Sequence, residues 1–207
     1  MAEITAQAVN EFRKSTGLGL MECKALLKEA EGDLKKAMTL AQERGKANAA
    51  KRAGRAARAG RVEVYIHHDG KSGALVEVNC ETDFVARNEE FRQFAKDLAL
   101  HIVASNPLCV RREEMDPKVV EEQRRIFLKQ VEDKPEPIRE KIADGKINSW
   151  YGESVLLDQM FVKDTAKTVR EIMTDLNARC GENISVARFA RFIVGESAPA
   201  ESAEADA

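Results

Sequence analysis

Apolar residues recur along this chain with two different periods, and the switches between those periods divide it into parts. Near the amino terminus Ala6, Val9 and Phe12 repeat at helical spacing behind Thr5, a good N-cap, and Thr16-Gly17 breaks the run. A second helical stripe follows from about Leu20, placing Leu20, Cys23, Leu27 and Ala30 on one face before Gly32 ends it. Asp33 then caps a third helix carrying Leu34, Ala37, Met38 and Ala41. Three short helices with so little apolar surface make a marginal bundle alone, which suits a docking module over residues 1–44.

The pattern then lapses. Between Arg44 and Arg61 the cations Arg44, Lys46, Lys51, Arg52, Arg55, Arg58 and Arg61 sit among alanines and glycines with no acidic residue between them. Gly45, Gly54 and Gly60 weaken helix while the alanines favour it, so residues 45–60 read as a partly helical, solvated tether.

Beyond it the period falls to two. Val62, Val64 and Ile66 alternate with polar residues, Ala74, Val76 and Val78 do the same, and Asp69-Gly70-Lys71-Ser72-Gly73 joins them as a β-hairpin. Cys80 closes the second strand. Phe91, Phe94, Leu98 and Ile102 then restore helical spacing in a helix that begins near Asn88, an N-cap followed by Glu89 and Glu90 at the positive end of the dipole, and stops at Asn106-Pro107. Downstream the pattern predicts a short strand at Leu108–Val110, a helix from Asp116-Pro117 to about Val131, and another bearing Ile138 and Ile142. It continues with a strand at Val155–Leu157, a helix from Asp164 or Thr165 that turns Val169, Ile172, Met173 and Leu176 inward and ends at Gly181, and a strand from Ile184 to Val194. The tight hairpin favours an antiparallel sheet with helices on one side, an α+β core over residues 61–195. The small, acidic stretch 196–207 has the composition of a disordered tail.

Composition narrows the possible chemistry. At 207 residues and 43% hydrophobic content the chain has room for one sizeable core and a small satellite. Charged residues make up 33%, yet the formal net charge is only -2, so no global field points to nucleic acid or membrane as the principal partner. Lys and Arg in the 44–61 block suit phosphate neutralisation, but no aromatic residue interleaves to stack on bases, and no specific nucleic acid is expected. Cys23, Cys80, Cys109 and Cys180 form no C-x-x-C pair, which fits reduced thiols in a cytoplasmic protein. The first residues lack a signal-peptide pattern, and no apolar run approaches the roughly 18 residues of a membrane span.

Catalytic signatures are absent: there is no P-loop, no G-x-S-x-G and no H-E-x-x-H, and neither a cofactor nor a metal ion is expected. His67 and His68, adjacent on a strand, should point to opposite faces and so not chelate one ion. His101 has no ligand partner at a suitable spacing and reads as structural. Trp150-Tyr151 and Phe161-Val162-Lys163-Asp164 read as core packing at element ends.

The segment Glu81-Thr82-Asp83-Phe84-Val85-Ala86-Arg87 stands out, because it sets an acid beside a large aromatic in the connection between a strand and an anchored helix. Phe84 lies too early for the hydrophobic-staple position of that helix, which Arg87 occupies. Residue pattern alone leaves surface contact and inward packing of Phe84 evenly matched.

Four stretches in order then identify a resemblance. They are Arg13-Lys14-Ser15-Thr16-Gly17 leading into Met21-Glu22-Cys23-Lys24-Ala25-Leu26, Val78 through Arg87, Phe161-Val162-Lys163-Asp164, and Arg188-Phe189-Ala190-Arg191-Phe192. Together they resemble the bacterial elongation factor Ts family over nearly the whole chain. Leu20 stands where the family usually has Met, and Met160 where Pro is common. The resemblance implies a ubiquitin-associated-like helical module, a tether and an α+β core. It also implies a non-enzymatic guanine-nucleotide exchange factor for elongation factor Tu. Thr82, Asp83, Phe84 and Val85 would then dislodge the GTPase's Mg²⁺, and Leu18, Gly19, Met21 and Cys23 would dock the module. Longer members carry two related core halves and a coiled-coil insertion; this chain is expected to have one half, no such insertion, and a homodimer to complete the surface.

Overall fold

The computed structural model describes residues 4–16, 18–52 and 54–196; the tail expected after 196 lies outside the described residues. Helix α1 (Ala6–Thr16) opens under Thr5, whose hydroxyl accepts the Ala8 N–H at 3.2 Å. Helix α2 (Leu20–Glu29) closes in a reciprocal backbone pair: Gly32 N–H reaches Leu27 O at 2.9 Å and Glu31 N–H reaches Lys28 O at 3.2 Å. Asp33 then accepts the N–H groups of Lys35 and Lys36 at 2.8 and 3.1 Å, starting α3 (Leu34–Arg52). Val9, Phe12, Cys23, Leu26, Leu27, Ala30 and Ala37 form the module's core.

Helix α3 runs through Arg52, beyond the boundary at 44 that the glycines suggested. The reason is tertiary: a Cβ built on Gly45 would lie only 3.0 Å from the Ala178 Cβ on α8 (Val169–Cys180). The glycine that weakens the helix is what lets it approach its neighbour at this point, and the chain stays helical as far as Arg52.

The sheet has strands β1 (Ala59–Ile66), β2 (Ser72–Cys80) and β5 (Ser185–Ile193) in the order β1-β2-β5, antiparallel throughout, with a register shift between Glu77 and Val78. Helix α5 (Glu89–Ser105) packs on β1 and β2, and its buried Phe91, Phe94, Leu98 and Ile102 meet Val76, Val78, Leu176, Ile184 and Val186 in the main core. The α+β class read from the sequence is the observed one. In β1, however, the apolar set faces away from the helices. Val62, Val64 and Ile66 are exposed, and with Leu75, Phe192 and Val194 they leave an uncovered apolar face.

Other differences are local. Asp164–Thr168 is strand β4, paired with β3 (Met160–Phe161), and the helix starts only at Val169. Asp164 uses its carboxylate on the nearby Ala166 N–H at 3.2 Å, closing a turn, whereas Thr168 and Glu171 form the reciprocal capping box. Leu108–Val110 contributes only a parallel bridge, Cys109 to Val155, and Leu156–Asp158 is a 3₁₀ turn. Leu156 and Leu157 are both buried in that turn and join the main core. Helices α6 (Pro117–Lys129) and α7 (Glu136–Ser154) pack on each other as an antiparallel hairpin. Arg124 bridges Glu140 and Asp144 across it, and no residue of α6 is buried. Both helices lie where the spacing predicts them.

Candidate functional site

The connection between β2 and α5 is itself helical. Thr82 is the N-cap of a short helix, α4 (Asp83–Arg87), and its hydroxyl lies 3.5 Å from the Val85 N–H that it accepts. Asn88 ends α4 and caps α5 at once, accepting the Glu90 N–H at 2.8 Å. Two cap signals six positions apart compete in the sequence, and the stronger Asn88-Glu89-Glu90 set hid the earlier one.

Helical geometry separates the neighbours on α4. Val85 and Ala86 turn inward and anchor the turn, while Asp83 and Phe84 face solvent, Phe84 at 91% exposure. No other exposed large apolar side chain among the described residues reaches that value. Within the described residues the Asp83 carboxylate accepts no hydrogen bond, so it does not brace Phe84 from inside the chain. The Cys80 thiol donates to Thr82 O at 3.2 Å; burial, with the nearby Glu182 carboxylate, pushes it up to about 11 and keeps it protonated.

The bracing comes from a turn that sequence reading passed over. Glu182 Oε2 accepts the N–H groups of Glu81 and Thr82, both at 3.1 Å, and Glu182 Oε1 accepts the Thr82 hydroxyl at 2.6 Å. In return Glu81 Oε1 accepts the Asn183 N–H at 2.7 Å. Arg55 Nη1 lies 3.5 Å from the other Glu81 oxygen, and Asn183 Nδ2 donates to Arg55 O at 2.8 Å. Arg55, within the basic segment, is thereby tied to the residues that lead into α4. Arg44 pairs with Glu29 and Arg61 with Glu63, so part of the block's charge is neutralised within the chain.

On the module, Gly19 is the N-cap of α2, Leu18 is half-buried, and Met21 is 75% exposed. Cys23, expected to dock, is fully buried; its thiol lies 3.6 Å from Leu18 O, so it supports the turn instead of meeting a partner. Leu20, read as part of the inner stripe, is half exposed beside Met21 and joins the outer surface.

His101 is buried, with Nε2 2.9 Å from Gln159 Oε1 and Nδ1 accepting the Val162 N–H at 3.2 Å. His67 and His68 lie past the end of β1, and their ring centroids are 4.2 Å apart rather than on opposite faces. Among the described residues no group of three or more His, Cys, Asp or Glu could hold a metal ion, and no helix is long and apolar enough to cross a membrane.

These features define an α+β protein with two separate cores whose most exposed large apolar side chain, among the described residues, stands on a braced helical turn. The family model described as Elongation factor TS matches residues 3–196. Elongation factor Ts of Geotalea daltonii is 53% identical over 195 residues, covering 93% of this chain and 90% of that protein. That of Finegoldia magna is 50% identical over 206 residues, covering 95% and 92%, and that of Geobacter sulfurreducens 52% over 195 residues. The chain belongs to the elongation factor Ts family.

Proposed function

We propose that this chain is a guanine-nucleotide exchange factor that binds elongation factor Tu carrying GDP, disturbs its Mg²⁺ site and promotes GDP release so that GTP can bind. The observation that carries the reading is the outward Phe84 on a turn anchored by Val85 and Ala86. No chemical step is required of the factor. It must bind the empty GTPase better than the loaded one, and nucleotide then weakens its grip by the same factor.

Moving a GTPase from mostly loaded to mostly empty takes a differential of roughly 5.5 kcal/mol. Burying one Phe supplies roughly 1.5–3 kcal/mol, so Phe84 acts as a wedge beside the ion site while other contacts contribute the remainder. On the module those are Leu18, Gly19, Leu20 and Met21, with Cys23 behind them. Thr82, Asp83 and Val85 complete the inserting segment: Thr82 caps it, Val85 roots it, and Asp83 keeps a free carboxylate for the partner's donors.

The module over residues 1–44 is the docking part, and the core over 61–195 is the dimerisation part of a cytoplasmic homodimer. What supports the dimer is the uncovered apolar sheet face of Val64, Ile66, Leu75, Phe192 and Val194, which a second copy would bury. The test is stopped-flow release of fluorescent GDP from elongation factor Tu with and without the protein. Release that no concentration of the chain accelerates would overturn the reading.

A further inference from the structure

The turn that follows α8 has no place in the reading above, yet it holds the wedge. Glu182 lies 101 positions from Glu81 in sequence and spends both carboxylate oxygens on the chain entering α4. Its own placement is fixed from two sides. Gly181, at φ 71, ends α8 in the left-handed region. Buried Asn177 pins Ile184, accepting its N–H at 3.2 Å and donating to its carbonyl at 3.3 Å. The Glu81 carboxylate returns a bond to Asn183 N–H, so each segment's acid satisfies the other's backbone.

The Thr82 hydroxyl is the hinge of this clasp. It donates to Glu182 at 2.6 Å and accepts from Val85 N–H, so the carboxylate orients the group that starts the helix bearing Phe84. Glu182 is half-buried and its carboxylate bonds Glu81 and Thr82, so it acts on Phe84 through Thr82.

We infer that Glu182 is the positioning residue of this site, holding Glu81 and Thr82 so that Phe84 is presented in one orientation before a partner arrives. The inference rests on the reading of Phe84 as the contact residue. Ordering the turn in advance removes that ordering cost from the encounter, so the gain appears once the factor is bound.

The test is a double-mutant cycle of Glu182→Gln, which keeps side-chain size, with Phe84→Ala, read by GDP release at saturating factor. Glu182→Gln should lower the maximal release rate by roughly 3- to 10-fold while the half-saturating concentration stays within about 2-fold. In the Phe84→Ala background the same change should have less than about a 2-fold effect, since the oriented ring is gone. Amide hydrogen exchange on the free protein gives an independent readout. Glu81 and Thr82 N–H groups should exchange faster in Glu182→Gln while Val76 and Leu98 do not change. Equal losses in both backgrounds, a change confined to half-saturation, or unaltered exchange at 81 and 82 would each overturn the assignment. Phe84→Ala releasing GDP at the parental rate would instead overturn the contact reading itself, leaving exchange at 81 and 82 to report on the clasp.

Discussion

Phe84 and Val85 are consecutive residues of one five-residue helix, yet Phe84 is 91% exposed and Val85 only 9%. The pair therefore separates function from stability. Phe84→Ala should slow GDP release by roughly 10- to 100-fold, equivalent to about 1.4–2.8 kcal/mol of barrier, with an unchanged urea midpoint. Val85→Ala should cost roughly 1–2 kcal/mol of folding stability through lost packing. An unchanged release rate in Phe84→Ala, measured by stopped flow, would remove the wedge.

Much of this arrangement was legible in the chain. The stripe of Phe91, Phe94, Leu98 and Ile102, the hairpin around Asp69-Gly70, and the caps at Thr5 and Asp33 are local signals, and local signals can be read from spacing. The orientation of Val62, Val64 and Ile66 was not legible. Alternation tells which residues share a face but not which face the helices cover. The Glu182 clasp joins segments that meet only in the folded protein, and Gly45 looked like a helix breaker because its neighbour Ala178 is remote in sequence.

The buried imidazole of His101 makes stability depend on pH. Gln159 Nε2 donates to Ser105 O and Glu153 O, which leaves its oxygen facing His101 Nε2, while His101 Nδ1 accepts Val162 N–H. That network holds the neutral Nε2–H form, and burial lowers the pKa below its ordinary 6.5, partly opposed by the bond to Gln159. Above pH 6.5 both folded and unfolded histidine are neutral, so stability is intact. As pH falls below that value the unfolded state binds a proton the folded state refuses, removing up to about 1.4 kcal/mol per pH unit until the folded pKa is passed. His101→Leu should lose roughly 1–3 kcal/mol at pH 7.5 by stranding Gln159 and Val162, and the gap to the parent should narrow toward pH 5. Urea melts of both proteins at several pH values decide it; a gap independent of pH would refute the assignment.

The open sheet face sets a solution mass. If a second copy covers it, the protein sediments at twice 23.0 kDa, and a charge at its centre abolishes that. Ile66 is 67% exposed and Phe192 is 65%, so Ile66→Lys or Phe192→Glu should leave the fold intact while burying a charge in the interface. Sedimentation equilibrium should then show a monomer with parental circular dichroism. A parent that is itself monomeric at micromolar concentration would eliminate the dimer without touching the exchange reading.

The end of α2 offers a stabilising change remote from the residues proposed to dock. Glu31 sits at φ 55 and Gly32 at φ 86, the left-handed positions of the closing pair of hydrogen bonds. A side chain with a Cβ costs about 1 kcal/mol in that region, and glycine gives part of it back through the freer unfolded chain. Glu31→Gly should therefore raise stability by roughly 0.5 kcal/mol, whereas Gly32→Ala should lower it by about 1 kcal/mol. Leu27 and Ala30 are buried just before this turn, so fraying there opens the module core, while Leu18, Gly19 and Met21 lie at the opposite end of the helix. Thermal melts should separate the two variants in opposite directions, and GDP release should be the same for both. A lower melting temperature for Glu31→Gly would mean that the glutamate stabilises its turn by more than the backbone costs it.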